Sequence, residues 1–472
     1  MKPLAMEEIR QAVHGRWVLR GAVATVEGVT TDSRTAGQGE LFVALGGQRF
    51  DGHAFLAKAS QAGCIAAIVK LGRVVPEDLA ALFGAGVIGV ADTTAALGEL
   101  AGYHRGLCSA TVVAVTGSNG KTTVKRMIHH ILSKRLAGSC SPKSFNNNIG
   151  VPLTLLGVSG KDDYVVCELG SNAPGEIAAL TRIARPDIAV ITSVAETHLE
   201  KLGSLQRVAA EKASVLGALT KSGLAVVWGD SNVLDKALKA YDARIIRFGA
   251  LPACELRLTD YQATPRGQRF RLNGRLWVEL PLRGRHNAVN ALAAIAVAQR
   301  MGLPQDDAAA ALADFAGPEM RLEPIDAGGV TIINDAYNAN PASVVAAADV
   351  LAESDGRRRV LIVGDMRELG AAWQELHLRT GREIASRKLD LLIGVGQMGR
   401  YIASGAAEEG QAIERFESVE AAASGAAGML RRGDVVLIKG SRAMAMERLI
   451  EPIRQAMSAP RAAAGPKKGR TP

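Results

Sequence analysis

Short apolar runs that end in polar or glycine-rich turns recur along this chain, separated by stretches with helical spacing of apolar residues. In the first hundred residues LFVAL and CIAAIV read as strands among helical stretches and Gly-rich turns such as GELFVALGGQRFDGHAF (39–55), which predicts a small α/β domain. From Ser109 the units lengthen. TVVAVT (111–116) is a β-branched run followed directly by the helical TTVKRMIHHILSKRLA, and DYVVCELG (163–170), DIAVITSV (187–194) and LAVVWGD (224–230) are further buried-strand candidates. Continuous apolar strands alternating with helices predict a parallel sheet covered on both faces. The rhythm pauses at Gly317–Pro318 and restarts with VTIINDAY, RRVLIVGDM, LDLLIGVG and DVVLIKGS, a second doubly wound unit. The expected fold class is α/β with three domains. A smaller α/β domain covers 1–108, a central parallel-sheet domain of the P-loop ATPase kind covers 109–316, and a Rossmann-like domain covers 317–458, with a tail over 459–472.

A length of 472 residues agrees with that division, at roughly 150 residues per domain, and is ample for several cores. Hydrophobic residues at 48% and charged residues at 22% exclude a disordered or fibrous protein. Fifty-six Lys+Arg against 47 Asp+Glu give +9, which raises the question of a polyanionic partner. Part of that charge is local. The segment Pro460–Pro472 holds Arg461, Lys467, Lys468 and Arg470 and no acid, so +9 less four leaves +5 for the body. Rich in Pro, Gly and Ala, the tail reads as disordered. Aromatic residues are only 4% and no nucleic-acid motif occurs, so small anions rather than nucleic acid are the expected partners. Cys64, Cys108, Cys140, Cys167 and Cys254 form no CxxC pair, which argues against a disulfide framework or zinc ribbon and fits a reducing compartment. MKPLAMEEIRQAV does not read as a signal peptide, and the run Ala288–Ala298, interrupted by Asn290, is too short to span a bilayer. A cytoplasmic protein without membrane insertion is expected.

The strongest local signal is TGSNGKTT, between a strand and a helix. Gly117 and Gly120 let the backbone turn tightly, so that successive N–H groups face a phosphate. The helix N-terminus adds partial positive charge, Lys121 adds a point charge, and the Thr122 hydroxyl can ligate Mg²⁺. Val115 stands where the standard spacing has a glycine, so this is a variant loop.

TGSNGKTT resembles the ATP loop of the Mur ligases, the ATP-dependent amide-forming enzymes of bacterial cell-wall precursor synthesis. Further matches follow in that family's order: SFNNNIGVPLTLL (144–156), CELGSNAPGEI (167–177), ETHLEKLGS (196–204), EKASVL (211–216), GRHNAVNALAA (284–294), NDAYNANPAS (334–343), GDMRELG (364–370) and IKGSRAMAMERL (438–449). NDAYNANPAS and GDMRELG favour the member that joins D-alanyl-D-alanine to UDP-MurNAc-tripeptide, and the DNPR-type motif of the diaminopimelate- or lysine-adding member is absent. The resemblance implies ATP and Mg²⁺ as cofactors, those two small-molecule substrates, and a monomer. A different Mur-type ligase, a folylpolyglutamate-type ligase (whose loop usually reads GKGS) and a P-loop ATPase or switch stand as alternatives.

By resemblance, Thr116, Gly117, Ser118, Asn119, Gly120, Lys121, Thr122 and Thr123 hold ATP, with Asn287 and Asn290 near the adenine and Arg321 and Asp335 on the nucleotide side. Asn287 and Asn290 also read as ordinary polarity at a helix start. Glu168 ends a buried strand and His198 follows the next one; with Thr122 the resemblance makes them Mg²⁺ ligands, although a strand-end acid can be merely solvated and a lone histidine is commonly structural. Lys212, in AAEKAS, reads as a solvated helix lysine in most contexts. In the family the matching lysine is carbamylated and helps hold Mg²⁺, so Lys121, His198 and Lys212 are the expected catalytic residues. Ser33 and Arg34 are candidates for the UDP end, with Gly46–His53 as a second contact loop. Asn146 and Asn147 are candidates for phosphate or carboxylate, and Asn338 and Asn340 for the ATP or amine side. Lys439 and Ser441 close a strand in the same region.

Overall fold

The computed structural model describes residues 1–47, 50–74 and 79–458. The tail at 459–472 and two residues of the candidate loop, Gln48 and Arg49, lie outside the described residues. The chain is α/β throughout and divides into two compact units, Met1–Pro281 with Arg285–Ala316, and Leu282–Gly284 with the chain from Gly317 onward.

The first unit begins with β1 (Leu4–Ala5) paired antiparallel to β3 (Thr25–Val26). Its five-stranded sheet holds β2 (Arg16–Arg20), β4 (Gly28–Thr30), β5 (Glu40–Val43), β6 (Ala66–Lys70) and β7 (Gly86–Val90), in the order β2-β7-β6-β5-β4. Only β2 runs antiparallel to its neighbour. The nine-stranded sheet is built from β8 (Thr111–Thr116), β9 (Gly138–Cys140), β10 (Tyr164–Glu168), β11 (Ile188–Ile191), β12 (Leu224–Trp228), β13 (Arg244–Gly249), β14 (Leu256–Thr264), β15 (Gly267–Leu272) and β16 (Leu276–Leu280). Its order is β16-β15-β14-β13-β12-β11-β8-β10-β9. The four apolar runs TVVAVT, YVVCE, IAVI and LAVVW lie at its centre, almost wholly buried, as expected for strands covered on both faces.

The sheet is not parallel throughout. β14, β15 and β16 form an antiparallel meander at one edge, and β14 alternates between buried and outward-facing residues because one of its faces meets solvent. Ladder register sets Glu168 beside Val115, and Ile191 beside Thr116, so the loops after β8, β10 and β11 emerge at one end of the sheet. The chain leaves β8 toward β10 on one side and returns to β11 on the other, which makes that end the crevice where α/β sheets gather ligands. One continuous core joins Leu41, Ile68 and Ile88 of the smaller sheet to Val112, Val165 and Ile191 of the larger, so one face of the smaller sheet shares its hydrophobic interior with the larger, while Phe42, Val69 and Phe83 form a separate core on the other.

The second unit carries a six-stranded sheet of β17 (Glu323–Asp326), β18 (Thr331–Asp335), β19 (Arg358–Val363), β20 (Leu391–Val395), β21 (Ile413–Phe416) and β22 (Asp434–Lys439). The order is β17-β18-β22-β19-β20-β21, parallel except for β17. Ile332, Val360, Ile362, Ile393 and Val436 centre its core. Among the described residues, no helix is long and apolar enough to cross a membrane.

Candidate active site

The loop after β8 is shaped by its glycines. Gly117 (φ 144°) and Gly120 (φ 84°) occupy backbone conformations that L side chains rarely adopt. A Cβ at Gly117 would collide with Thr192 Oγ1, and one at Gly120 would lie 2.6 Å from Asn290 Oδ1. The segment after β11 clasps the loop from outside. Ser118 N donates to Ser193 O (2.9 Å), Asn119 N to Ser193 Oγ (2.8 Å), and Ser118 Oγ to Ala195 O (3.1 Å). Gly120 caps the helix Lys121–Leu132, and Lys121 folds back so that Nζ donates to Gly117 O (2.8 Å). A cradle that any side chain would fill, a helix N-terminus and a lysine at its rim together fit a nucleotide phosphate. Thr116 and Thr123 are buried beneath it.

Glu168, at the end of β10, is almost completely buried and fully engaged. Its Oε2 accepts the Thr122 hydroxyl (2.9 Å) and its Oε1 the Asn146 amide (3.0 Å), so the structure brings these three candidates together. A fourth group was not singled out in the sequence. Lys125 Nζ lies 3.3 Å from Glu168 Oε2 and donates to Ser141 O (2.8 Å) and Lys143 O (2.6 Å), which uses all three ammonium hydrogens. The signal for it was available: Lys125 falls three residues after Thr122 and three before Ile128, a lysine on the buried stripe of an amphipathic helix. The hydroxyl of Thr122 and the carboxylate of Glu168 are hard oxygen donors of the kind Mg²⁺ takes. Among the described residues there is no group of three His, Cys, Asp or Glu able to hold a metal.

Lys212 is not a solvated helix lysine. It is 1% exposed, on the helix Leu205–Ala213, with Nζ donating to Ser171 Oγ (2.7 Å) three residues beyond Glu168. Burial, reinforced by the positive charge of Lys121, pulls its pKa down to about 7. Glu211 beside it accepts the amides of Gly175 (2.7 Å) and Ile177 (2.8 Å), which anchors the next helix. His198 is left-handed (φ 54°) at the start of the helix Leu199–Leu202, where its carbonyl accepts the Lys201 and Leu202 amides. Asn287 and Asn290 are buried on the helix Arg285–Arg300, with Asn290 Nδ2 donating to Asn287 Oδ1 (3.1 Å), and Asn290 abuts the phosphate loop at Gly120.

Several candidates have local work. Asn147 Oδ1 accepts the amides of Ile149 (3.2 Å) and Gly150 (2.9 Å) at the start of a helix. Asn340 caps the helix Pro341–Ala352 through Ser343 N (3.0 Å). Arg34 is exposed and forks onto Asp32 (2.6 and 2.9 Å), while Ser33 beside it is buried. His53 Nε2 accepts the Lys70 amide (2.9 Å), and its Nδ1 donates to Asp51 (2.5 Å).

Within the second unit, Asp335 and Lys439 are ladder neighbours at strand ends, with Lys439 Nζ 2.5 Å from Asp335 Oδ2 and 3.0 Å from Asn338 O. Asn338 Oδ1 accepts the amide of Ala339 (2.9 Å). Ser441 Oγ accepts the amide of Arg367 (2.8 Å), and the Arg321 guanidinium lies over the Tyr337 ring.

Comparison with known proteins bears on what this arrangement does. Three family models match in succession: the Mur ligase family catalytic domain over 25–105, the Mur ligase middle domain over 115–298, and the Mur ligase glutamate ligase domain over 320–442. UDP-N-acetylmuramoyl-tripeptide–D-alanyl-D-alanine ligase of Escherichia coli (strain K12) is 37% identical over 465 residues, covering 96% of this chain and 99% of its own. The solved MurF of Acinetobacter baumannii superposes with a TM-score of 0.86 at 31% identity, over 96% of this chain and 99% of that one. MurF ligase from Thermotoga maritima, in complex with ADP, does so with 0.80 at 27% identity, over 91% and 97%.

Proposed function

The chain belongs to the Mur ligase family, and on that premise we propose that it joins D-alanyl-D-alanine to UDP-N-acetylmuramoyl-tripeptide with ATP. The products are UDP-MurNAc-pentapeptide for peptidoglycan synthesis, ADP and phosphate. End-to-end kinship with a ligase of that name, at 37% identity over 96% of the chain, carries this reading. The ADP held by the Thermotoga relative supports ATP as phosphoryl donor.

A carboxylate is a poor electrophile, so the tripeptide carboxylate first takes the γ-phosphoryl group and becomes an acyl phosphate. The dipeptide amine attacks that carbonyl, and the tetrahedral intermediate collapses with loss of phosphate. Several anions meet in these steps, so the work is positioning and charge stabilisation. The loop from Thr116 to Thr123, with the Lys121 ammonium, holds the phosphates. Asn287 and Asn290 are assigned to the adenine side, and Arg321 and Asp335 to the nucleotide. Thr122, Glu168, His198 and Lys212 as its carbamate would hold Mg²⁺, which offsets phosphoryl charge. Carbamylation needs a neutral amine, and a pKa near 7 supplies one at neutral pH.

Segment 1–108 takes the UDP end through Ser33 and Arg34, 109–316 takes ATP and Mg²⁺, and 317–458 takes D-Ala-D-Ala through Asn338 and Asn340. Asn146 and Asn147 serve phosphate or carboxylate groups. The enzyme acts as a cytoplasmic monomer without nucleic acid.

Phosphate release tests the proposal. Release that requires UDP-MurNAc-tripeptide and D-Ala-D-Ala together, and that folate does not elicit, is expected. ATP hydrolysis independent of both substrates would overturn it.

A further inference from the structure

Two bulky residues with left-handed backbone bracket one arginine. Met320 (φ 55°) and Leu322 (φ 56°) flank Arg321, in a conformation that costs strain for side chains of their size. Their surroundings hold them there. Leu322 is buried, and Met320 packs against the core of the second unit. Met320 N donates to Glu323 Oε2 (2.9 Å), which also accepts Asn334 Nδ2 (3.2 Å) across the β17–β18 ladder. Met320 O accepts the amide of Tyr337 (3.3 Å), tying the bend to the loop after β18. The result is a fixed starting point for the Arg321 side chain, whose guanidinium carbon lies 4.2 Å from the Tyr337 ring centroid.

We propose that Tyr337 is a positioning residue for nucleotide binding, holding the Arg321 guanidinium in the orientation in which it meets a phosphate. The inference rests on the assignment of Arg321 to the nucleotide. Stacking engages the planar face of a guanidinium, whereas phosphate recognition uses its N–H edge, so one side chain can serve both at once. Arginine is long and rotamer-rich, and an aromatic floor beneath it removes most of the orientations it would otherwise lose on binding. The strained bend does the same for the backbone: it sets the direction of Cα–Cβ before any ligand arrives.

Calorimetric titration of the full chain with AMP-PNP and Mg²⁺ tests this in Arg321→Ala, Tyr337→Phe, Tyr337→Leu and the Arg321→Ala/Tyr337→Leu double variant. Tyr337→Phe keeps the ring and is expected to bind within about twofold of the parent. Tyr337→Leu is expected to bind about three- to tenfold more weakly, the range of a cation–π contact. In the Arg321→Ala background it should cost nothing further, and the KM for D-Ala-D-Ala should not move. An equal loss in both backgrounds would mean that the ring acts on the nucleotide or the fold directly, and would overturn the proposal. So would full affinity in Tyr337→Leu beside a clear loss in Arg321→Ala. Full affinity in Arg321→Ala itself would instead remove Arg321 from the nucleotide site, a separate failure.

Discussion

Lys125 and Glu168 form a buried ion pair, 1% and 2% exposed, beneath the phosphate loop. Breaking such a pair from one side leaves a charge with no counter-charge, at about 3–5 kcal/mol, whereas replacing both partners with neutral groups is often close to neutral. Glu168→Gln is therefore expected to lower unfolding free energy by roughly that amount, and Lys125→Met/Glu168→Gln to recover most of it. Urea unfolding of the single and double variants measures the difference; equal stability of the two would mean that the pair carries no coupling. Lys212 poses a different problem, since its ammonium donates to the neutral Ser171 hydroxyl and its pKa is about 7. About half of such amines are neutral at pH 7, against fewer than about one in a thousand for an ordinary lysine. Lys212→Ala should lose nearly all ligase activity and regain a measurable part in millimolar acetate or propionate, whose carboxylate can stand where the carbamate would. Full activity without added acid would refute the carbamate.

At the scale of elements, the helix Thr93–Leu107 is pinned by a histidine with no exposure. His104 Nε2 accepts the Lys2 amide (3.0 Å) and Nδ1 donates to Leu155 O (3.1 Å), so one ring ties the segment before β1 to the helix Gly150–Leu156. Burial, above all, lowers its pKa, and the same cause lowers those of His129 and His377. The unfolded chain takes up protons on these rings near pH 6.5 while the fold resists, so it binds more protons as pH falls. The stability these rings contribute is then fully present above about pH 6.5 and declines below it. Melting temperature is expected to fall from pH 7 toward pH 5. His104→Gln should start lower but fall less steeply, and parallel pH profiles would discount His104.

Which elements could be read from sequence follows from how they are buried. TVVAVT, YVVCE, IAVI and LAVVW are covered on both faces and announce themselves as apolar runs. β14–β16 are covered on one, and their alternation of apolar with Arg, Thr and Gln made no continuous run. The phosphate loop was legible because its glycines and lysine sit at fixed spacing. The burial of Lys212 was not, because it depends on the loop after β10, with Ser171, meeting a helix remote in sequence. Asn147 and Asn340 were read as site residues alone, and the structure shows each capping a helix.

At the scale of the molecule, the +9 charge and the division of labour come together. Three domains were expected from length, and the core that joins Leu41 to Ile191 predicts that the segment proposed for phosphate and the sheet proposed for the UDP end unfold together. All the proposed substrates are anions except the dipeptide, and a positive body favours their approach. The tail adds four of the nine charges but lies beyond the last family match, which ends at 442. At 0.15 M salt charges are screened within about 8 Å, and at 0.01 M within about 30 Å. Beyond those distances a tail cation exerts little field on a bound anion. A chain ending at Ser458 is expected to keep kcat/KM for UDP-MurNAc-tripeptide within about twofold at 0.15 M salt, and to fall behind the full chain only as salt is lowered. A tenfold loss at 0.15 M salt would instead make the tail part of substrate binding, through contact rather than through its field.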